Sequence, residues 1–181
     1  MSHLIQDLKS YARILHRQVQ HGDRDARRRL RQLKELNAID SDSLGETTQR
    51  RHCLAVVAQE LGFSGWSQAS AVLAGQETED FGTLLYPKGA FAHSNIWSAS
   101  YGEAARIREE TGGYLLVYRR QFFIVDQHFI ETLGLDPKHP DWEGIGWDWA
   151  RPRDSEARQR LYAEVVWGKL PRLIHEKSVS G

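Results

Sequence analysis

An α+β fold is the class this sequence predicts: an N-terminal helical bundle, then a small, mostly helical domain with a short β-hairpin or sheet. Three observations predict it. Apolar residues recur at helical spacing through the first 75 positions. Two runs rich in aromatic and β-branched residues, 114–118 and 121–125, have the length and texture of strands. Between the two textures lies 76–95, which has no sustained period and is punctuated by Gly82, Pro87 and Gly89. The expected organisation is a helical module at 1–75, a linker or wrapping segment at 76–95, and an α+β domain at 96–181.

The elements follow in order. Leu4, Leu8, Tyr11, Leu15 and Val19 are spaced by four, three, four and four, one face of an amphipathic helix. Gly22 and Asp23 break it and cap a second helix with the stripe Ala26, Leu30 and Leu33. The polar segment 40–45 reads as a loop. A third helix is expected over 46–61, with Leu54, Val57, Ala58 and Leu61 inward and Gly62 as its stop. Ser64 stands where an N-cap belongs, ahead of a fourth helix carrying Trp66, Ala69, Val72 and Leu73 to Gly75.

In the second half, 101–111 suits a helix stopped by Gly112 and Gly113. The two strand-like runs form either a tight hairpin around Arg119 and Arg120 or one long bent strand. That pair lacks the Gly or Asn a two-residue turn prefers. Asp126 caps a helix over 127–133, and 136–140 is a turn. Trp142, Ile145 and Trp149 share a helical face ended by Pro152. A last helix covers 155–168 with Ala157, Leu161 and Val165 inward, and the tail after Pro171 frays.

The segment from Arg51 to Trp66, RHCLAVVAQELGFSGW, resembles a helical module that stands ahead of ankyrin repeats or glyoxalase-like domains in bacterial proteins. The resemblance covers roughly 20–75 and rests on Ala55, Ala58, Glu60, Gly62, Phe63 and Trp66. It implies a packing motif, in which Gly ends one helix and Phe and Trp staple the next onto it, and brings no catalytic residue. After residue 76 the chain departs from that company, with no Thr-Pro-Leu-His ankyrin signature. The second half, with GGYLL at 112–116 and GWDWARP at 146–152, resembles a bacterial family from which no function carries over.

Composition excludes several classes. The chain has 181 residues, 40% of them hydrophobic, with six each of Trp, Tyr and Phe. That is enough for a substantial core, so whole-chain disorder is excluded. The single cysteine, Cys53, rules out an intrachain disulfide and leaves too few thiolates for a Cys-based zinc site. No apolar run approaches the ~20 residues of a membrane span. Without the apolar core of a signal peptide near the start, the expectation is a soluble cytoplasmic protein with no membrane contact.

Formal net charge is zero, yet unevenly spread. Positions 1–75 hold 11 basic and 8 acidic residues, and the remainder 13 and 16. Between Lys9 and Lys34 nine basic residues face two acids, a local +7. Within it Arg13, Arg17, Arg24, Arg28 and Arg31 fall at spacings that line one face, a candidate stripe for phosphates. A solvated face, or one turned to an acidic partner, is the plainer account.

Histidine spacing disfavours a metal. His16 and His21 are five apart, and the neighbours His52 and Cys53 point about 100° apart on a helix. His128 and Glu131 make an i,i+3 half-site without identified partners. No phosphate loop, dinucleotide fingerprint or nucleophile elbow is present, so no catalytic residue, metal or cofactor is assigned. Two aromatic–polar clusters remain: one around His93, Asn95, Trp97 and Tyr101, the other around Trp142, Trp147, Asp148 and Trp149. They read as a pocket lined by Trp97, Tyr101, Arg106, Arg119, His128 and Trp149, or as core filler. The leading expectation is a non-enzymatic binding protein with a protein partner or a second copy of itself. A small-molecule site or enzyme in the second half, and nucleic-acid binding by the arginines, are the alternatives.

Overall fold

The computed structural model describes residues 3–87, 89–90 and 95–173. They form an α+β fold of nine helices and one three-stranded antiparallel sheet. Helix α1 (His3–Gln20) buries Leu4, Leu8, Tyr11, Leu15 and Val19, so the periodic stripe is the core face. Asp23 accepts from the Ala26 N–H and caps α2 (Arg24–Leu30). Leu33 is buried as expected, but from the turns that follow this short helix.

The expected loop at 40–45 is instead largely helical. Asp40 accepts from the N–H groups of Asp42 and Ser43 and starts α3 (Ser41–Thr47). Its Asp and Ser residues suit a turn and a helix start equally well, because both use the same side-chain-to-backbone bonds. Thr48 and Gln49 then take extended backbone, with ψ of 128° and 161°. The helix expected over 46–61 is therefore split, and α4 (Arg50–Glu60) begins after the break. Gly62 follows it with φ +87° and closes the end. The cap of α5 (Trp66–Leu73) is Gly65 rather than Ser64. Ser64 spends its N–H and hydroxyl on Gln68 Oε1, at 2.7 and 2.9 Å.

Segment 76–87 is a packed strap. Leu84 and Leu85 are buried, the Phe81 N–H donates to Arg119 O, and Arg119 N–H donates to Gly82 O. A short strand missed by the sequence reading, β1 (Ile96–Ser98), follows it. Its three residues carry too little pattern to register as a strand. Ser100 caps α6 (Tyr101–Thr111). Strands β2 (Tyr114–Tyr118) and β3 (Gln121–Val125) form a hairpin, which settles the open choice against one bent strand. Arg119 holds φ +51° at the turn without being Gly or Asn. Its two backbone bonds to the strap stabilise that conformation from outside the hairpin.

Sheet order is β1-β3-β2, with Ile96 opposite Ile124 and Leu115 also opposite Ile124. One face packs Leu115 and Ile124 against Ala104 of α6. The other sends Leu116, Phe123 and Val125 into the main core. Asp126 caps α7 (Gln127–Thr132), and α8 (Asp141–Ile145) ends at Gly146 in left-handed geometry. Trp149 does not continue the α8 face. Past Gly146 the chain turns back, Leu115 N–H donates to Trp147 O, and Trp149 N–H donates to Leu115 O. That extended pairing along β2 delivers the Trp149 ring into the core at 0% exposure, between Trp142 and Tyr162. Asp154 caps the closing helix α9 (Ser155–Lys169). His93 and residues 174–181 of the expected frayed tail lie outside the described residues.

The main hydrophobic core runs from Leu4 through Leu61, Leu84 and Phe123 to Leu170. The boundary near residue 75 is thus a change of local texture and not a break in packing. Tyr11 of α1 donates to Pro171 O at 2.6 Å and packs its ring 5.9 Å from Trp167 of α9.

Candidate functional site

Where the helical half meets the sheet half, an open groove of about 780 Å³ lies between three walls. One wall is the end of α5 and the strap, from Gly75 to Glu79 and Phe81. The second is Tyr101, Arg120 and Phe122 from the sheet side. The third is Ala150 to Pro152 with Arg158 of α9. Apolar rings with a few charged groups are the usual lining of a small-molecule site.

Arg158 is the unusual member. Its residue is 8% exposed, and its Nη1 donates to the carbonyls of Trp149 and Ala150 at 3.0 and 3.4 Å. Its Nε has no hydrogen-bond partner, and among the described residues it pairs with no carboxylate. Buried guanidinium groups normally carry an anionic partner, because losing hydration is costly. Gly75 makes the room for it: a Cβ there would lie 2.9 Å from Arg158 Nη2, at a backbone φ of +75°.

Tyr101 is fixed from two sides. Its hydroxyl donates to Asp148 Oδ2 at 2.7 Å, and the Arg151 guanidinium stacks 4.0 Å from its ring centroid. Asp148 Oδ1 accepts from the N–H groups of Ala150 and Arg151, so the turn and the tyrosine share one anchor. Burial, then the bond to Asp148 and its charge, push the Tyr101 phenol up to about 12. It is a neutral donor across the physiological range.

The six residues expected to line one pocket are dispersed. Only Tyr101 lines this groove. Trp97 lies on the other face of the sheet, stacked 4.7 Å from Phe123 with Tyr86 and Tyr118 beside it. Arg106 is exposed and pairs with Glu110 on its own helix. Arg119 sits at the hairpin turn over the Tyr118 ring. His128 is exposed beside Glu131, and Trp149 is core. Local sequence proximity misled here, because alternate strand residues face opposite sides of a sheet. Sequence reasoning missed Arg120, Phe122 and Arg158, and Gly75 with its strap. Their signal is tertiary, since they come from three separate segments: the strap, the hairpin and α9.

The arginine stripe is also partly consumed. Arg28 pairs with Asp25 at 2.8 Å, and Arg31 donates to Asn37 O and Ser41 Oγ. Arg13, Arg17 and Arg24 remain exposed. The buried member of that run is Arg29, which lies outside the predicted stripe and pairs with Glu60. No group of three or more metal-ligating side chains occurs among the described residues. Among them, too, no helix is long and apolar enough to cross a membrane. Compared with protein-family models, curated proteins and solved structures, the chain matches none of them.

Proposed function

We propose that this is a binding protein and that the groove between its halves takes a small anionic molecule with an apolar body. The carrying observation is Arg158, a buried guanidinium on the groove wall with no carboxylate partner among the described residues. Arg120 and Arg151 add positive charge, and Glu77 and Glu79 on the strap leave the lining with a net +1. Phe81, Phe122 and Tyr101 supply apolar surface for the rest of the ligand.

Isothermal titration with aryl carboxylates and their neutral amides tests this reading. The acids bind and the amides do not. Arg120→Gln, an exposed substitution at the hairpin, and Arg158→Met both weaken the acids. Amides that bind as well as the acids refute it, as does acid binding unmoved by both variants.

A second reading is self-assembly, favoured by Ile96 and Trp97, adjacent on the edge strand β1 and 45% and 39% exposed. Size-exclusion chromatography with light scattering then reports a dimer that Trp97→Arg dissociates. A monomer at every concentration rejects it.

A further inference from the structure

On the far side of the Tyr101–Arg151 stack lies a second, smaller pocket of about 180 Å³. Arg108, Arg151 and Arg153 line it, with Tyr101, Gly146 and Asp148. Among the described residues, none of the three arginines pairs with a carboxylate. Within the described residues their one side-chain hydrogen bond is from Arg108 Nε to Gly113 O, at 3.3 Å.

Two of these guanidinium groups are held by their faces. Arg108 lies 5.3 Å over the Trp147 ring and Arg151 lies 4.0 Å over Tyr101. Stacking occupies the flat faces of a guanidinium and leaves its N–H edges free to donate in plane. Arg153 lies against Gly146, where a Cβ would come within 2.9 Å of its Nε. Any side chain at 146 would displace it.

The backbone that builds this arrangement is strained at Trp147. Gly146 is left-handed at φ +71°, and Trp147 directly after it takes φ +54°, a rare conformation for a tryptophan. Such strain persists where the surrounding structure enforces it, and it concentrates at binding sites. Here it presents the Trp147 ring to Arg108 and its carbonyl to Leu115. Asp148, one of the two acids of the lining, has both oxygens occupied by Tyr101 and two N–H groups. Glu109 is the other acid of the lining and is exposed. Three cations against these two acids leave a net positive cup.

We propose that this pocket binds the phosphoryl group of a small phosphomonoester through the free N–H edges of Arg108, Arg151 and Arg153. Fork-shaped donors match phosphate oxygens pairwise, and charge assistance strengthens each bond. The site shares only Tyr101 and Arg151 with the groove, so it stands or falls separately from the function proposed above.

The experiment is calorimetric titration of the full chain with glycerol 3-phosphate, inorganic phosphate and acetate at low ionic strength. Glycerol 3-phosphate binds and acetate does not. Arg153→Gln, whose side chain makes no hydrogen bond or ion pair among the described residues, weakens binding by about tenfold, the loss expected for one charge-assisted contact. Arg108→Gln weakens it similarly, with melting temperatures of both variants checked alongside. Arg13→Gln, remote on α1, leaves binding unchanged. Arg120→Gln leaves phosphate binding unchanged while affecting the groove, which separates the two sites. Absence of glycerol 3-phosphate binding overturns the proposal, including the case where inorganic phosphate alone binds. Binding that survives Arg153→Gln and Arg108→Gln in folded protein overturns it equally.

Discussion

Arg29→Met should destabilise this protein far more than any other single arginine change in the basic run. Arg29 Nε and Nη2 donate to the two carboxylate oxygens of Glu60 at 2.8 and 2.7 Å. The side chains are only 9% and 16% exposed, and the guanidinium lies 5.4 Å over the Tyr11 ring. Burial works against the Arg29 charge, but Glu60 and then Tyr11 outweigh it and hold its pKa above the usual value. Methionine fills similar volume and leaves Glu60 charged and unpaired. Breaking a buried pair from one side costs about 3–5 kcal/mol. For a chain of this size each kcal/mol shifts the melting point by ~2–4 °C, so a loss of roughly 6–20 °C follows.

The double variant Arg29→Met, Glu60→Leu removes both charges and should return to within about 1 kcal/mol of the parent. Urea denaturation followed by far-UV circular dichroism gives all four corners of the cycle. A single variant costing under about 1 kcal/mol would refute the reasoning, as would strictly additive effects. Arg28→Met, whose pair with Asp25 is 77% and 78% exposed, serves as the contrast and should change stability by less than about 0.5 kcal/mol.

Three further outcomes are expected. His52 accepts from the Gln49 N–H through Nδ1, and burial first, then Arg51 and His16 against the opposing pull of Glu35, lower its pKa. With the folded value below the unfolded one, its stabilisation is present above about pH 6.5 and is lost as pH falls through the folded value. Urea midpoints of parent and His52→Gln should therefore converge on acidification; parallel pH profiles would count against this. Gly62→Ala should cost about 2 kcal/mol or more, since φ is +87° and the new Cβ strikes the Thr83 side chain, with Thr83 backbone carbon 3.1 Å away. A neutral result by thermal melting contradicts the close approach. Tyr101→Phe should cost about 1 kcal/mol through the lost bond to Asp148. In the parent, the phenol near 12 against about 10 unfolded means its stabilisation is intact below pH 10 and is lost as pH rises towards 12. An ultraviolet titration in which all tyrosines ionise near 10 would refute that.

How far the sequence reached depends on the range of the interaction involved. The stripe of α1, the helix 101–111, both hairpin strands and the start of α9 rest on neighbours within a turn or a strand, and all appear as read. Asp40 is ambiguous in sequence because a cap and a turn use the same chemistry. The break at Thr48 escaped because no Gly or Pro marks it; it is fixed instead by contacts such as His16 Nε2 with Thr48 O at 2.8 Å, 32 residues apart. Spacing alone puts Trp149 on a helix face, whereas pairing with Leu115 decides its place. The candidate site was legible only in Tyr101. Arg158 looks in sequence like any helix-surface arginine, and only the arrival of Gly75 and the 149–150 carbonyls makes it a buried one.

The strap between residues 76 and 87 has a mechanical consequence. It carries Leu84 and Leu85 in the shared core, holds the hairpin turn through Arg119, and receives Lys169 Nζ on Leu84 O at 2.7 Å. Severing the chain there would release no self-sufficient half, since each half would expose apolar surface that the other now covers. The two halves are therefore expected to unfold together, which coincident far-UV and tryptophan-fluorescence transitions in urea would report. Because the groove takes one wall from the end of α5 and the strap and the others from the sheet and α9, its shape depends on both halves staying packed together.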